Sequence, residues 1–362
     1  MPCMDIIKIN DNSNKLFYIG GVVRDKLLGL ESFDIDITYV GNAIEYCSKF
    51  GEVIQENPDF GTVRVNVKGK EVDFASTRSE KYPKKGHLPV VDKIGCSLKE
   101  DVMRRDFTIN ALAKSVTTGE IIDYTGGLED LKNKKLRVLH DNSFIDDPTR
   151  IIRGLKFSVR FGFELEEHTK KLQKEYLSNI NYDMSYKRVK KELIETFNLN
   201  SQNAFDKFIN EKIYKLVTPN DIKLPKINIE NLIKQYKCNH IWLVYIGVLG
   251  DLSRLPLTKT EQKILDDVPK IEPKTDFEIY KIFENLNIES ILLYAILKNE
   301  KIAKHYLDDL RQIKIKTTGK DLQNFGISPS PKYQKIFDEI LKAKLKNPKM
   351  TKKDEINYLK TL

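Results

Sequence analysis

The sequence has few of the residues that build disulfide frameworks or sulfur- and nitrogen-ligated metal centres. Its 362 residues include four cysteines, five histidines and one tryptophan. No two cysteines form a C-x-x-C pair, and no cysteine–histidine cluster has the spacing of a zinc site. Because scattered single cysteines are typical of a reducing compartment, we expect a cytoplasmic protein.

Long apolar segments are also missing. The longest apolar run, IWLVYIGVLG, is far shorter than the roughly 20 residues that span a bilayer. We therefore predict a buried helix at this run and no membrane partner. The N-terminal residues MPCMDIIKIN contain no basic segment followed by an apolar one, so we expect no signal peptide.

Charge is abundant and positive in balance. Lysine and arginine number 61 against 52 aspartates and glutamates, which gives a net charge of +9. A basic surface favours polyanionic partners, above all RNA or DNA, although a lysine-rich composition alone would give the same balance. With 40% hydrophobic residues, the chain can fill packed cores, and its length predicts more than one domain.

The pattern of secondary structure changes along the chain. The β-branched, alternating runs DIDITYV, TVRVNVKG and KEVDFAST predict strands in the first third, with short helical patterns between them. The proline- and glycine-containing segment SEKYPKKGHLPVVDKIGCS predicts a mobile loop. From Asp147 onward the periodicity is that of helices. The chain therefore predicts an α+β head followed by helical segments.

Two aspartates, Asp34 and Asp36, stand side by side on the first of these strands. Residues i and i+2 of a strand share a face, so their carboxylates repel unless a proton or cation lies between them. Mg²⁺ is the simplest such cation, and carboxylate-bound metals are a standard route to nucleotidyl transfer. We expect a third carboxylate from a neighbouring strand, either Asp73 or, as a second choice, Glu71. The alternative is an exposed strand end with no ligand.

The stretch GGVVRD lies just before this couplet. Gly20 and Gly21 allow backbone N–H groups to approach phosphates closely. Arg24 can neutralise a triphosphate.

The pattern G-G-x-V-R-D-x-L-L-G followed by D-x-D resembles the signature of class II tRNA nucleotidyltransferases, the CCA-adding enzymes, and of the related bacterial poly(A) polymerases. These enzymes belong to the DNA polymerase beta nucleotidyltransferase superfamily. The resemblance implies a nucleotidyltransferase head with a mixed sheet, followed by an all-helical neck, body and tail.

Two further segments of the head carry the resemblance. RRDFTINA resembles the ribose-recognition motif, which implies that Asp106 and Asn110 lie beside the sugar and Arg105 nearer the phosphates. A capped surface turn is the alternative. IIDYTGG resembles the family's head-to-neck motif, with Asp123 and Gly126; Gly126 and Gly127 would serve as a hinge or form a simple turn.

The segment DDPTRIIRGLKF resembles the family's nucleotide-template motif. Asp147 precedes a proline and suits a helix N-cap. In the family's role, Asp147 accepts a hydrogen bond from the exocyclic amine of cytosine or adenine, and Arg150 donates to the adjacent ring nitrogen. Arg153 and Lys156 continue the same helical face, with Lys156 where the family usually has arginine. A solvated basic stripe is the alternative.

The C-terminal part carries a weaker resemblance. DMSYKRVKKELIETF resembles the helix that supports the template helix, and TGKDLQNFGISPSP resembles a tail motif in which Ser330 replaces a glycine. The tail would bind tRNA phosphates. Three lysines suit such contacts or an ordinary solvated face: Lys320, Lys332 and Lys335.

The sequence therefore predicts a catalytic head over residues 1–137, a neck over 138–200, a body over 201–290 and an RNA-binding tail over 291–362. We expect a Mg²⁺-dependent enzyme, monomeric or homodimeric, that adds C, C and A from CTP and ATP to the 3′ end of tRNA. A CC-only or A-only enzyme, a poly(A) polymerase and a non-catalytic RNA-binding protein remain as alternatives.

Overall fold

The computed structural model describes Ile9 and residues 11–32 and 35–361. Asp34 lies outside these residues. The chain divides into two compact units: the first runs to Thr196 and includes Asp206–Asn220, and the second comprises Phe197–Phe205 and Asp221–Leu362. The predicted boundaries at residues 137 and 290 fall inside these units, so the four-segment division stays a prediction.

The first unit is built on a mixed sheet, which confirms the predicted α+β head. Its strands follow the order β3-β4-β5-β2-β1-β8-β9, and only β2 and β5 run parallel to each other. The strands are β1 (Leu16–Ile19), β2 (Asp36–Tyr39), β3 (Glu52–Asn57), β4 (Thr62–Val67), β5 (Lys70–Ser76), β6 (Arg78–Lys81), β7 (Val90–Ile94), β8 (Ala113–Ser115), β9 (Ile121–Ile122), β10 (Lys135–Leu136) and β11 (Glu164–Leu165).

The alternating sequences produce this sheet in the expected way. Along β4 the valines at 63, 65 and 67 are buried while the residues between them are half-exposed. The same alternation in β5 buries Val72 and Phe74 and leaves Asp73 accessible. The three strands predicted from β-branched runs are therefore confirmed as β2, β4 and β5.

The expectation of an irregular mobile loop over residues 79–97 is wrong. Strands β6 and β7 pair there as an antiparallel hairpin, and only residues 82–89 form its connecting loop. The branched residues of β7 supply β-propensity, and Lys81 and Asp92 form an ion pair across the two strands at 2.6 Å. The prolines lie in the connecting loop and not in the strands, where they would remove hydrogen-bond donors.

Helices surround the sheet and complete the first unit. Helix α3 packs Leu98 and Val102 onto β1 and β8 through Phe17, Ile19 and Ala113. Strand β10, at the end of the predicted head, pairs with β11, which lies beyond the head and is an exception to the all-helical expectation. The helices are α1 (Gly21–Leu27), α2 (Ala43–Cys47), α3 (Leu98–Met103), α4 (Gly127–Lys132), α5 (Ser143–Asp146), α6 (Thr149–Phe161), α7 (Glu167–Ser178), α8 (Tyr186–Phe197) and α9 (Gln202–Asn210).

The second unit is helical in its described residues. The apolar run predicted to be a buried helix is α11, whose residues from Trp242 to Ile246 are buried. No helix among residues 11–32 and 35–361 is long and apolar enough to cross a membrane. The remaining helices are α10 (Ile229–Tyr236), α11 (Ile241–Ile246), α12 (Lys259–Asp266), α13 (Asp276–Phe283), α14 (Ile288–Leu297), α15 (Glu300–His305), α16 (Gly319–Asn324), α17 (Lys332–Lys346) and α18 (Lys352–Leu359).

A buried ion pair anchors the two residues that come just before the TGKDL segment of the second unit. Lys344 of α17 donates to one oxygen of Glu355 of α18, and both side chains are almost fully buried. The other Glu355 oxygen accepts hydrogen bonds from the backbone N–H groups of Lys316 and Thr317 and from the Thr317 hydroxyl, at 2.7–2.8 Å. Burial would raise the pKa of Glu355, but Lys344 and Thr317 hold it below its ordinary value.

Glu355→Gln is expected to destabilise the second unit by about 3–5 kcal/mol, because it leaves the Lys344 ammonium buried without its counter-charge. Since the folded-state pKa of Glu355 is lowered, its contribution is full above the unfolded-state pKa and declines as pH falls. Urea unfolding at pH 7 and pH 4 measures both effects. Glu339→Gln, which breaks the exposed pair with Lys342, is the control and should change the midpoint far less. Equal shifts for the two variants would contradict the assignment.

Candidate active site

The sheet brings two of the predicted carboxylates onto one face. Asp36 of β2 and Asp73 of β5 are direct partners in the parallel pairing of these strands. Partners in register project from the same side of a sheet. Asp36 is exposed and its neighbour Ile37 is buried, so the acidic face points away from the core.

Asp73 is held by an arginine from the next strand. Arg64 of β4 is its register partner and donates from Nε and Nη2 to the two carboxylate oxygens at 2.7 and 3.0 Å. Glu71, the second choice for the third carboxylate, lies 3.7 Å from the same guanidinium group. The face therefore carries a row of charged groups across three adjacent strands.

The chemistry of this face fits a hard divalent cation. Carboxylate oxygens on neighbouring strands are the ligands that Mg²⁺ prefers. Among residues 11–32 and 35–361, no group of three or more His, Cys, Asp or Glu side chains has the geometry of a complete metal site. Asp34, which the sequence predicts as a ligand, is outside those residues, so its role stays a prediction.

The glycine pair lies where β1 ends and α1 begins. Gly20 has a φ of +71° and a ψ of −125°, a conformation that side chains other than glycine rarely adopt. A Cβ atom on Gly20 would lie 3.0 Å from Nη1 of Arg105. The glycine thus lets the Arg105 guanidinium rest directly against the backbone of the predicted phosphate-binding turn, while Gly21 begins α1 beside Arg24.

Arg24 is buried and not exposed at the mouth of the site. Its guanidinium donates from Nε to Asp25 at 2.8 Å and from Nη1 to the side-chain oxygen of Asn110. The group also lies over the rings of Phe157 and Phe161, 5.2 and 4.6 Å from their centroids. In this arrangement Arg24 supports Asn110, and its predicted contact with phosphate stays a prediction.

Asp106 is the centre of the predicted sugar site. One of its oxygens accepts from the Asn110 amide at 2.9 Å and the other from Nε of Arg153 at 2.7 Å. Burial would raise the pKa of Asp106, but Arg153 and Asn110 outweigh it and hold the pKa well below the usual range. Asp106 is therefore a carboxylate at every physiological pH, and it joins the head to helix α6.

The basic face of α6 is not a solvated stripe. Arg153 also donates to Glu192 of α8 at 3.2 Å, and Lys156 lies 2.8 Å from the other oxygen of Glu192. Lys156 further contacts Glu195 at 2.5 Å. The alternating charges brace α6 against α8, and this use of Glu192 was missed by the sequence analysis because the acidic residue lies on a different helix.

Asp147 bonds both to the first residue of α6 and to a residue of α8, while its reading of the base stays a prediction. Its Oδ1 accepts from the backbone N–H and hydroxyl of Thr149 at 3.1 and 2.6 Å, which is the expected capping contact, although α6 begins one residue late, at Thr149. Its Oδ2 accepts from Arg188 of α8. Asp147 is only 5% exposed, so an incoming base would meet a carboxylate that is already oriented.

Arg150 is the second member of the predicted base-reading pair, and it is 3% exposed. Its Nη1 donates to the Ser143 hydroxyl at 2.7 Å, and its Nη2 donates to the backbone oxygen of Arg104 at 2.9 Å. The phenol oxygen of Tyr82 lies 3.3 Å from the same nitrogen. Three partners from outside α6 thus fix the direction of this guanidinium group.

The loop of the β6–β7 hairpin contacts the end of α5, just before Asp147, and the segment that precedes α8. The backbone N–H of Gly86 donates to the carbonyl of Asp146 at 3.0 Å, and Lys85 forms an ion pair with the Asp146 carboxylate. Lys84 and His87 both lie 3.0 Å from Asp183. These partners lie far from the loop in sequence, and no local pattern predicts them.

The predicted head-to-neck motif forms a tight turn. The Asp123 carboxylate accepts hydrogen bonds from four successive backbone N–H groups, those of Thr125 to Leu128, at 2.9–3.0 Å. A Cβ on Gly127 would lie 2.3 Å from the carbonyl oxygen of Thr108. These contacts favour the turn over the hinge for Asp123 and Gly126.

The predicted RNA-binding lysines lie in the second unit. Lys320 is in α16, and Lys332 and Lys335 are in α17, and all three are exposed. Their exposure suits both a phosphate contact and a solvated face, so their role stays a prediction.

Comparisons with known proteins agree with this geometry. Residues 16–137 match a family model described as the poly A polymerase head domain. The A-adding tRNA nucleotidyltransferase of Geobacter sulfurreducens is 30% identical over 97% of this chain, which spans about half (46%) of that relative's length. The CCA-adding enzyme of Bacillus pumilus is 29% identical over 96% of this chain and 93% of its own length.

Solved structures show the same relationship. A structure described as a CCA-adding enzyme in apo form II superposes with a TM-score of 0.81 at 26% identity, covering 96% of this chain and 92% of the other. The similarity therefore extends beyond the head to both compact units.

Proposed function

Because the chain belongs to the family of class II tRNA nucleotidyltransferases and bacterial poly(A) polymerases, we propose that it adds nucleotides to the 3′ end of tRNA without a nucleic-acid template. The 3′-hydroxyl of the RNA attacks the α-phosphate of CTP or ATP and pyrophosphate leaves. Two C residues and one A are added in turn.

One observation carries the proposal: three consecutive residues connect the parts of the site. The backbone oxygen of Arg104 holds the base-reading Arg150. The Arg105 guanidinium lies against the glycine turn, and Asp106 holds Asn110. A nucleotide that spans this segment would have its base, sugar and phosphates at three neighbouring positions.

The acidic face supplies the reacting end of the site. Asp36, together with Asp34 and with Asp73 as the third carboxylate, would hold Mg²⁺, which lowers the pKa of the attacking hydroxyl and neutralises charge on the triphosphate. Asp73 forms an ion pair with Arg64, so the cation would bind a carboxylate that is already charged and oriented. Arg105 and the glycine turn would receive the phosphates.

Selection of the base follows from a fixed acceptor just before α6 and a fixed donor in its first turn. Asp147 accepts from an amine, which cytosine and adenine present at N4 and N6. Arg150 donates to their unprotonated ring nitrogen, N3 or N1. Uracil and guanine present a carbonyl and an N–H at these positions, so both bonds fail and buried polar groups are left unpaired, at a cost of roughly 1–3 kcal/mol each.

A second candidate is addition of A alone. The A-adding relative is similar over 97% of this chain, although the chain covers less than half of it, while the CCA-adding relative is covered almost fully. The base-reading pair serves both activities, because it accepts cytosine and adenine alike.

To test the proposal, the purified chain is incubated with Mg²⁺, labelled nucleotides supplied one at a time, and one of three tRNAs. These tRNAs end at the discriminator base, at C or at CC. Growth by three residues with CTP and ATP supports CCA addition. Addition of A only to the CC end selects the A-adding enzyme, and addition of C only selects a CC-adding one. A long A tail selects a poly(A) polymerase, and RNA binding without transfer overturns the proposal.

A further inference from the structure

A carboxylate outside the sites discussed so far lies directly behind the phosphate-binding arginine. Asp101 of α3 is fully buried at 0% exposure. Its Oδ2 accepts from Nη2 of Arg105 at 3.2 Å, and its Oδ1 accepts from Nε and Nη2 of Arg104 at 3.0 and 2.9 Å. The backbone N–H of Arg78, the first residue of β6, donates to Oδ1 at 3.1 Å.

Arg105 has few other anchors. Its Nη1 rests against Gly20, and its Nε is buried without a hydrogen-bond partner among the described residues. Asp101 is the ion-pair partner that the structure gives to this guanidinium. Burial lowers the pKa of Arg105, and the Asp101 carboxylate opposes that effect, with a smaller contribution from Asp36.

Helix α3 holds Asp101 in place. Ser97 and Glu100 form a capping box at its N-terminus, and Leu98 and Val102 lock the helix onto the sheet. Burial would raise the pKa of Asp101, but Arg105 and Arg104 hold it below its ordinary value. The carboxylate is therefore charged, immobile and directed at two successive arginines.

We infer that Asp101 is a positioning residue that aims the Arg105 guanidinium at the triphosphate of the incoming nucleotide. The inference rests on the proposed function. Asp101 touches no substrate atom itself. It supplies the counter-charge on one side of Arg105, so that the opposite side, at Gly20 and toward Asp36, presents its N–H groups to phosphate oxygens.

Inorganic tripolyphosphate tests this directly, because it carries the phosphates without base or sugar. Asp101→Asn keeps the shape of the side chain and removes its charge. We expect binding of Mg²⁺–tripolyphosphate, measured by calorimetry, to weaken about 10- to 100-fold, with a matching rise in KM for CTP and a smaller change in kcat.

Asp130→Asn is the matched control. Asp130 is a buried head carboxylate with its own arginine partner, Arg137, and a bond from the Thr108 hydroxyl. Its loss should lower Tm as the loss of Asp101 does and leave tripolyphosphate affinity unchanged. If the two variants weaken tripolyphosphate equally, Asp101 is a structural acid only and the inference is overturned.

A double-mutant cycle separates aiming from general damage. In an Arg105→Ala background, Asp101→Asn is expected to weaken tripolyphosphate binding by less than about twofold, because its only route to the phosphates is gone. Full additivity of the two changes would refute the inference. If Asp101→Asn does not fold, Asp101→Ser, which also removes the charge, replaces it, and unchanged affinity in that folded variant counts against the inference in the same way.

Failure of the proposed function is distinguishable from failure of this inference. If the wild-type chain neither binds Mg²⁺–tripolyphosphate nor transfers nucleotides, both are overturned. If the wild-type chain transfers nucleotides and Asp101→Asn binds tripolyphosphate normally, only the role of Asp101 is overturned.

Discussion

Asp36→Asn is expected to lower the rate of nucleotide transfer by at least about 10³-fold, comparable to the loss of a principal electrostatic group in other enzymes. The substitution keeps the shape of the side chain but removes a negative charge from the face that would hold the cation. The exposed position of Asp36 at the start of β2 means that the fold should tolerate the change. Single-turnover incorporation of labelled nucleotide measures the effect.

The control for this variant is Asp59→Asn, an exposed aspartate of the same unit that lies in a short turn between β3 and β4. It should transfer nucleotides at the wild-type rate. RNA binding, measured separately, should be unaffected in both variants. Transfer at a near-normal rate by Asp36→Asn would remove the basis for assigning this face as the catalytic one.

Asp147→Ala is expected to reduce the preference of the enzyme for CTP and ATP over UTP and GTP. The variant loses the acceptor for the exocyclic amine, so kcat/KM for CTP and ATP should fall by about 10- to 100-fold while the poor values for UTP and GTP change little. The ratio of CTP to UTP incorporation, measured in competition on one RNA substrate, reports the effect. Since Asp147 also binds Arg188 and caps α6, a loss of thermal stability is expected alongside.

Asp141→Ala serves as the comparison, because Asp141 is an exposed acid whose partner is His168. It should leave both the ratio and the stability unchanged. If Asp147→Ala is less stable but keeps the wild-type ratio of CTP to UTP incorporation, the residue only caps the helix, and base reading has to be assigned elsewhere.

The acidic face of the sheet could be predicted from the sequence. The residues that contact this face could be predicted only in part. Alternation along β2 and β5 placed Asp36 and Asp73 on their accessible sides, because the period of a strand is a local property. The pairing of Asp73 with Arg64 depends on the register of the β4–β5 hairpin, whose strands are joined by Lys68 and Gly69. No single-strand pattern contains that information.

Other contacts were missed for related reasons. Asp101 stands three and four residues before Arg104 and Arg105, a spacing that indicates ion pairs on a helix, so a local signal existed. Glu192 and Arg188 pair with residues on other elements, and such partners follow from tertiary packing alone. The β6–β7 hairpin was missed because charged residues interrupt its apolar pattern and ion pairs take the place of apolar contacts.

The polar contacts between the head and helix α6 determine where the chain can be divided into fragments. Asp106 is bonded to Arg153, Asp25 lies 3.4 Å from Arg160, and the Arg104 carbonyl is bonded to Arg150. The matched head region ends at residue 137, so a fragment cut there would leave the buried Asp106 without Arg153, whereas Asp25 would lose Arg160 but keep its pair with Arg24. The head is thus a recognisable stretch of sequence, but electrostatically it is one piece with the helix that follows it.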